Sequence, residues 1–205
     1  MEAVANLVKP RIRSYWPLWA VGKLRGHVLS RIYSGSADKI MDHIWIGDGY
    51  SAHDLEFLKA NNIKTIISVA TGSVASYPYE GIRYELAELL DIEGETLGPH
   101  IEKMVPIIRE NVDNHINTLI HCEKGASRSA SIVAAYLIKY NHMSTNNAII
   151  FMRSKRSVIN PNADYIRQLK DYEIELRTSE EFECDGEEDC GEDDGEDRED
   201  VGTSD

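Results

Sequence analysis

Cys122 closes a short apolar run, Thr118-Leu119-Ile120-His121-Cys122, and Arg128 stands six residues further on, at the start of a helical stretch. Glu123, Lys124, Gly125, Ala126 and Ser127 lie between them, and Ser129 follows. A short loop with a glycine and small residues can turn successive backbone N–H groups inward and form a nest for an anion. The helix start adds further N–H donors and the positive end of its dipole. Arg128 can hold two phosphate oxygens with its planar fork. The same positive field lowers the pKa of Cys122 and favours the thiolate, the nucleophilic form. A cysteine packed on a core strand as a small hydrophobe would need none of these neighbours. The Gly-Lys-[Ser/Thr] of a nucleotide-binding loop is absent, and no Cys or His recurs at the spacing of zinc ligands. No metal and no organic cofactor is expected.

The elements that must position this loop read as a mixed α/β chain. Ile44 to Ile46 reads as a strand and Gly47 to Gly49 as a turn. Ala52 to Asn61 reads as a helix with Leu55 and Leu58 inward, and Asn61-Asn62 ends it. Ile63 to Ala70 reads as a buried strand, Ile82 to Leu86 as the next, and Asp91 to Pro99 as a loop. His100 to Asn114 is helical by the spacing of Ile101, Val105 and Ile108, with Pro106 marking a kink. Thr118 to Cys122 is a strand, and Arg128 to Tyr140, Thr145 to Arg153 and Ala163 to Leu176 are helices. Strands alternating with helices predict a central, mostly parallel sheet flanked by helices, with the phosphate-binding loop between a strand and a helix.

The formal charge of −13 over 205 residues argues at first against polyanion partners. It is concentrated at one end. Thr178 to Asp205 holds fifteen Asp/Glu against one Arg, whereas the chain up to Arg177 has a net charge of +1. Such a tail repels itself and buries too little to fold. The other end is basic. Lys9, Arg11, Arg13, Lys23, Arg25 and Arg31 oppose only Glu2, and Leu18, Val21, Leu24, Val28 and Ile32 form a helical stripe behind Pro17. That helix fits docking on its own domain, a homodimer or partner contact, or, with Trp16 and Trp19, a membrane surface or a transit peptide. The expected organisation is a basic helical extension over 1–37, a catalytic domain over 38–177 and a disordered acidic tail over 178–205. Three cysteines exclude a disulfide scaffold and place the chain in a reducing, cytoplasmic setting. No run is long enough for a transmembrane helix, and neither a secretory signal nor a nucleic-acid partner is expected.

The run from His121 to Ser129 resembles the Cys-x5-Arg-[Ser/Thr] signature of the protein tyrosine phosphatases, and its surroundings resemble the dual-specificity branch. The resemblance spans residues 38–176. It takes in Ile44-Trp45-Ile46-Gly47, the Ala52 to Leu58 helix, Ile63 to Val69, the helix from Ser129 to Tyr140, Arg156-Ser157-Val158-Ile159-Asn160-Pro161-Asn162, and Gln168-Leu169 to Glu173. It implies that Cys122 attacks phosphorus to give a phosphocysteine, that Arg128 and the amides from Glu123 through Arg128 hold the phosphate oxygens, and that Ser129 stabilises the thiolate. His121 shapes the loop by hydrogen bonding. The leaving oxygen needs a proton from a carboxylic acid, which the resemblance places about thirty residues before the cysteine. Asp91 stands 31 before it, with Glu93 and Glu95 as rivals. Asn160 and Asn162, flanking Pro161, imply a structural role beside the site. Cys184 and Cys190 lie in the tail, where chance placement outweighs a redox pairing with Cys122.

The implied substrate is a phosphoprotein carrying phosphotyrosine, phosphoserine or phosphothreonine. Lipid-phosphate relatives carry more basic loops than this one, where Lys124 is the basic residue between Cys122 and Arg128. An RNA 5′-phosphatase, a phosphoinositide phosphatase and a non-catalytic phosphate-binding scaffold remain as alternatives.

Overall fold

The computed structural model of the chain describes residues 36–71 and 81–184. The leader helix expected between Leu18 and Ile32 and the tail from residue 185 lie outside them. Five strands form one sheet: β1 (Ala37–Met41), β2 (Ile44–Gly47), β3 (Ile63–Val69), β4 (Arg83–Ala87) and β5 (Asn117–His121). Their order is β1-β2-β5-β3-β4, with β5 at the centre. β5 pairs in parallel with β2 and β3, and β3 with β4, while β1 runs antiparallel on the edge. The sheet is therefore mostly parallel, as the alternation of strands and helices predicts.

Five helices complete the fold: α1 (Leu55–Ala60), α2 (Gly98–Asp113), α3 (Arg128–Asn141), α4 (Thr145–Lys155) and α5 (Ala163–Cys184). Successive strand residues face opposite sides of the sheet. Ile44, Ile46, Ile67, Val69 and Ile120 pack on the side of α2 to α5, whereas Trp45, Ile66 and Leu119 pack with Leu58 of α1 on the other. α3 is buried at every position from Arg128 to Ile138. It packs against α2, α4 and α5, so its first turn is held rigidly at the C-terminal end of β5. That end, in the middle of a parallel sheet, is where α/β folds place their ligands.

Three local readings change. β1 was not foreseen, because Ala37-Asp38-Lys39-Ile40-Met41 buries only Ile40 and carries no alternating apolar pattern. The helix expected over 52–61 is a 3-10 turn at Ser51–His53 followed by α1. Asp54 separates them, because its extended backbone lets its carboxylate accept the Phe57 N–H at 3.0 Å and cap α1. Leu55 is consequently half-buried rather than inward. α5 continues to Cys184, so the acidic tail begins inside that helix, while Pro106 stands inside α2 as expected of that stretch.

Candidate active site

Every carbonyl from Glu123 to Ser127 is bound on the outer side of the loop. Glu123 accepts from the Gly49 amide at 3.2 Å, Ala126 from the Asn160 amide at 2.8 Å, and Ser127 from the Ser131 amide at 2.9 Å. Lys124 and Gly125 both accept from Arg156, at 3.3 Å from Nη2 and 2.9 Å from Nε. A peptide unit points its N–H opposite to its C=O. Fixing five carbonyls outward therefore turns the amides toward the concave side and builds the anion nest. Gly125 has φ +63°, and a Cβ there would lie 2.4 Å from the Gly47 carbonyl oxygen. Glycine is thus required at this position both for backbone conformation and for space.

Cys122 is 2% exposed. Its Sγ accepts from the Gly125 amide at 3.2 Å and from Ser129 Oγ at 3.3 Å. Burial pushes the thiol pKa up, but the Ser129 hydroxyl, the Ser129 and Ala126 amides and the Arg128 charge outweigh it and hold the pKa below the ordinary thiol value. The chemistry available is a buried thiol, biased toward ionisation, facing a ring of amides. Arg128, 8% exposed, lies near enough for its charge to act on Cys122. Its contacts are long: Nη1 to the Leu89 carbonyl at 3.5 Å, Nη2 to Glu123 at 3.4 Å, and Nε to Asp91 Oδ2 at 3.9 Å. Nε is buried and has no hydrogen-bond acceptor. A buried, unsatisfied guanidinium donor beside a nest of amides is set to receive an oxyanion.

Asp91 reaches this point from the loop after β4. Its Oδ1 accepts from Ser127 Oγ at 2.7 Å and from Asn162 Nδ2 at 2.9 Å. Oδ2 is left on the side of Arg128. Glu93 is exposed, and Glu95 meets the fold through its backbone carbonyl. Cys122, Arg128, Ser129 and Asp91 are thus brought together, and Glu123, Lys124, Gly125, Ala126 and Ser127 contribute backbone. Ser127 has a second task unforeseen in the sequence, since its hydroxyl ties the loop to Asp91. Arg156 was also not singled out as a site residue. It is 4% exposed and anchored to Asp38 at 2.7 Å and Ser36 Oγ at 2.9 Å. Arg153 and Lys155 beside it are exposed, so charge type alone could not distinguish them. Asn162 caps α5 by accepting the Tyr165 amide at 2.8 Å while it donates to Asp91, a structural role beside the site.

His121 shares a 2.7 Å hydrogen bond with Ser68 Oγ through Nε2. Burial lowers its pKa from 6.5 to about 4, with a backbone contact to Cys122 acting the other way. Between those values the unfolded chain binds a proton that the folded chain refuses. The contribution of neutral His121 to stability is therefore complete above pH 6.5 and is lost as pH falls to about 4. Urea unfolding near neutrality and at about pH 4.5 should show wild type losing about 2 to 3 kcal/mol more than His121→Gln. Equal losses would mean that the folded protein does not hold His121 neutral.

The family described as dual specificity phosphatase, catalytic domain, matches residues 44–175. The chain is 33% identical over 139 residues to dual specificity protein phosphatase 1 of Arabidopsis thaliana, covering 68% of this chain and 70% of that protein. It is 34% identical over 138 residues to dual specificity protein phosphatase 18 of Rattus norvegicus, covering 67% of each. The crystal structure of a mouse putative dual specificity phosphatase complexed with zinc tungstate superposes with a TM-score of 0.67 at 25% identity, over 70% of this chain and 90% of that one.

Proposed function

The chain belongs to the dual specificity phosphatase family and is a protein phosphatase, and from this premise we propose how its own residues hydrolyse phosphotyrosine, phosphoserine and phosphothreonine. Cys122 Sγ attacks phosphorus in line with the ester oxygen. The P–O bond breaks as the S–P bond forms, and Asp91 Oδ2 gives its proton to the departing oxygen. The loop amides and Arg128 take up the charge on the three equatorial oxygens. Water then attacks the phosphocysteine with the Asp91 carboxylate as base, releasing inorganic phosphate, and Ser129 steadies the thiolate as it leaves. The observation that carries this reading is the outward binding of all five loop carbonyls around a buried Cys122 with Arg128 above it.

Charge favours phosphoprotein over RNA or lipid phosphates. Glu123 lies on the loop beside Arg128 and adds a negative charge where a multiply phosphorylated ligand would place its own. A thiolate nucleophile suits a reducing compartment, and a cytoplasmic location is part of this proposal. Among the described residues no helix is long and apolar enough to cross a membrane. A homodimer through residues 1–37 rests on the apolar spacing of that segment alone.

The assignment of the acid is tested on phosphotyrosine and phosphothreonine peptides. Asp91→Asn should lower kcat by about 10²-fold, most strongly on phosphothreonine, whose alkoxide is the poorer leaving group, while Glu93→Gln stays near wild type. The reverse pattern would transfer the role to Glu93.

A further inference from the structure

Between Leu89 and Leu97, which are both fully buried, no residue of the acid-bearing loop is buried. Leu90 and Ile92 are 42% and 54% exposed. The loop therefore has no apolar packing of its own to set its shape, and the polar contacts that fix its backbone come from α5. The Gly94 amide donates to Asp164 Oδ2 at 3.0 Å. Gln168 binds two backbone groups, donating to the Glu95 carbonyl at 2.8 Å and accepting from the Leu97 amide at 2.8 Å. Tyr165, fully buried, donates its hydroxyl to the Leu90 carbonyl.

The last of these bonds bears on the chemistry. The Leu90 carbonyl and the Asp91 N–H belong to one rigid peptide plane. Holding that oxygen fixes the backbone entering Asp91, and Ser127 and Asn162 fix the far end of its side chain through Oδ1. Asp91 is thus held at both ends with Oδ2 left to act. We propose that the first turns of α5 clamp the acid loop and that Tyr165 is a positioning residue for proton donation, acting through the Leu90 carbonyl without touching substrate. The inference rests on Asp91 being the acid. Burial, with Asp91 and Glu95 nearby, raises the Tyr165 phenol well above its ordinary value, so it remains a donor throughout the working pH range.

The test compares Tyr165→Phe, Asp91→Asn and the double variant of the full chain on two aryl esters. Phenyl phosphate needs the leaving oxygen protonated, and difluoromethylumbelliferyl phosphate does not. Tyr165→Phe should lower kcat/KM, which reports P–O cleavage alone, about tenfold on phenyl phosphate, the cost of losing one fixed hydrogen bond. It should change kcat/KM on the fluorinated ester less than twofold. In the Asp91→Asn background it should add nothing. An equal loss on both esters, no loss on either, or a further loss in the Asp91→Asn background would overturn the proposal. If Asp91→Asn itself lowers kcat/KM on both esters alike, the acid assignment fails and the clamp's catalytic role falls with it, whatever Tyr165→Phe does. Should Tyr165→Phe not fold, Gln168→Met loosens the other end of the same loop and is judged by the same comparison.

Discussion

Cys122→Ser should abolish phosphate release, with a loss on the order of 10⁴-fold or more, in a protein that still folds and binds its substrate. The substitution exchanges one small side chain for a smaller one in a buried site, so packing changes little. What is lost is ionisation. The Ser129 hydroxyl and the Gly125 amide lie within hydrogen-bonding distance of Sγ, and the Ser129 hydroxyl, the Ser129 and Ala126 amides and the Arg128 charge bring the thiol below its ordinary pKa despite burial. An alkyl hydroxyl starts so far above a thiol that the same field leaves it protonated, and a neutral hydroxyl without an adjacent base is a weak nucleophile. Because the nest of amides and Arg128 are untouched, calorimetry should find a non-hydrolysable phosphonate peptide bound about as tightly as by wild type. Turnover surviving in Cys122→Ser would place the nucleophile elsewhere.

Arg128→Lys should cost about 10² to 10³ in kcat and weaken competitive inhibition by inorganic phosphate, although the charge is retained. Arg128 sits at the first residue of α3 with only long contacts to Leu89, Glu123 and Asp91. Its planar fork can take two oxygens at once, and its buried Nε has no other acceptor. Lysine presents one compact, strongly hydrated charge and cannot span two oxygens of a trigonal bipyramidal phosphorus. The variant is measured on phosphotyrosine peptide and by phosphate inhibition. Retention of kcat within tenfold would mean that charge alone suffices and that the fork does not matter.

Much of the site was legible because it is local. A strand ending in Cys122, a small-residue loop and a helix opening at Arg128 are consecutive in the chain, and each follows from apolar runs, a glycine and helical periodicity. β2, β3 and β5 were readable for the same reason: buried strands of a parallel sheet are continuous apolar runs. β1 was not, because an edge strand with one buried residue has no pattern to read. The 3-10 turn before α1 was hidden because Asp54 is as ordinary on a helix surface as at a cap, and only the backbone angle decides between them.

Arg156 marks the limit more sharply. In the sequence it is one of three basic residues within four positions. In the fold it alone is buried, between Asp38 and the loop carbonyls it holds. The net charge behaves similarly. Its uneven distribution is plain in the sequence, whereas 1–35 and 185–205 lie outside the described residues.

The sequence by itself located Cys122, the small-residue loop after it and Arg128, because a strand end, backbone donors and a helix start arise within a few consecutive residues. Tertiary structure alone decided which carboxylate faces Arg128, which arginine braces the loop and what holds the acid in place. Those partners are separated by tens of residues, and only the packing of β1, the acid loop and α5 around the end of β5 brings them within hydrogen-bonding distance.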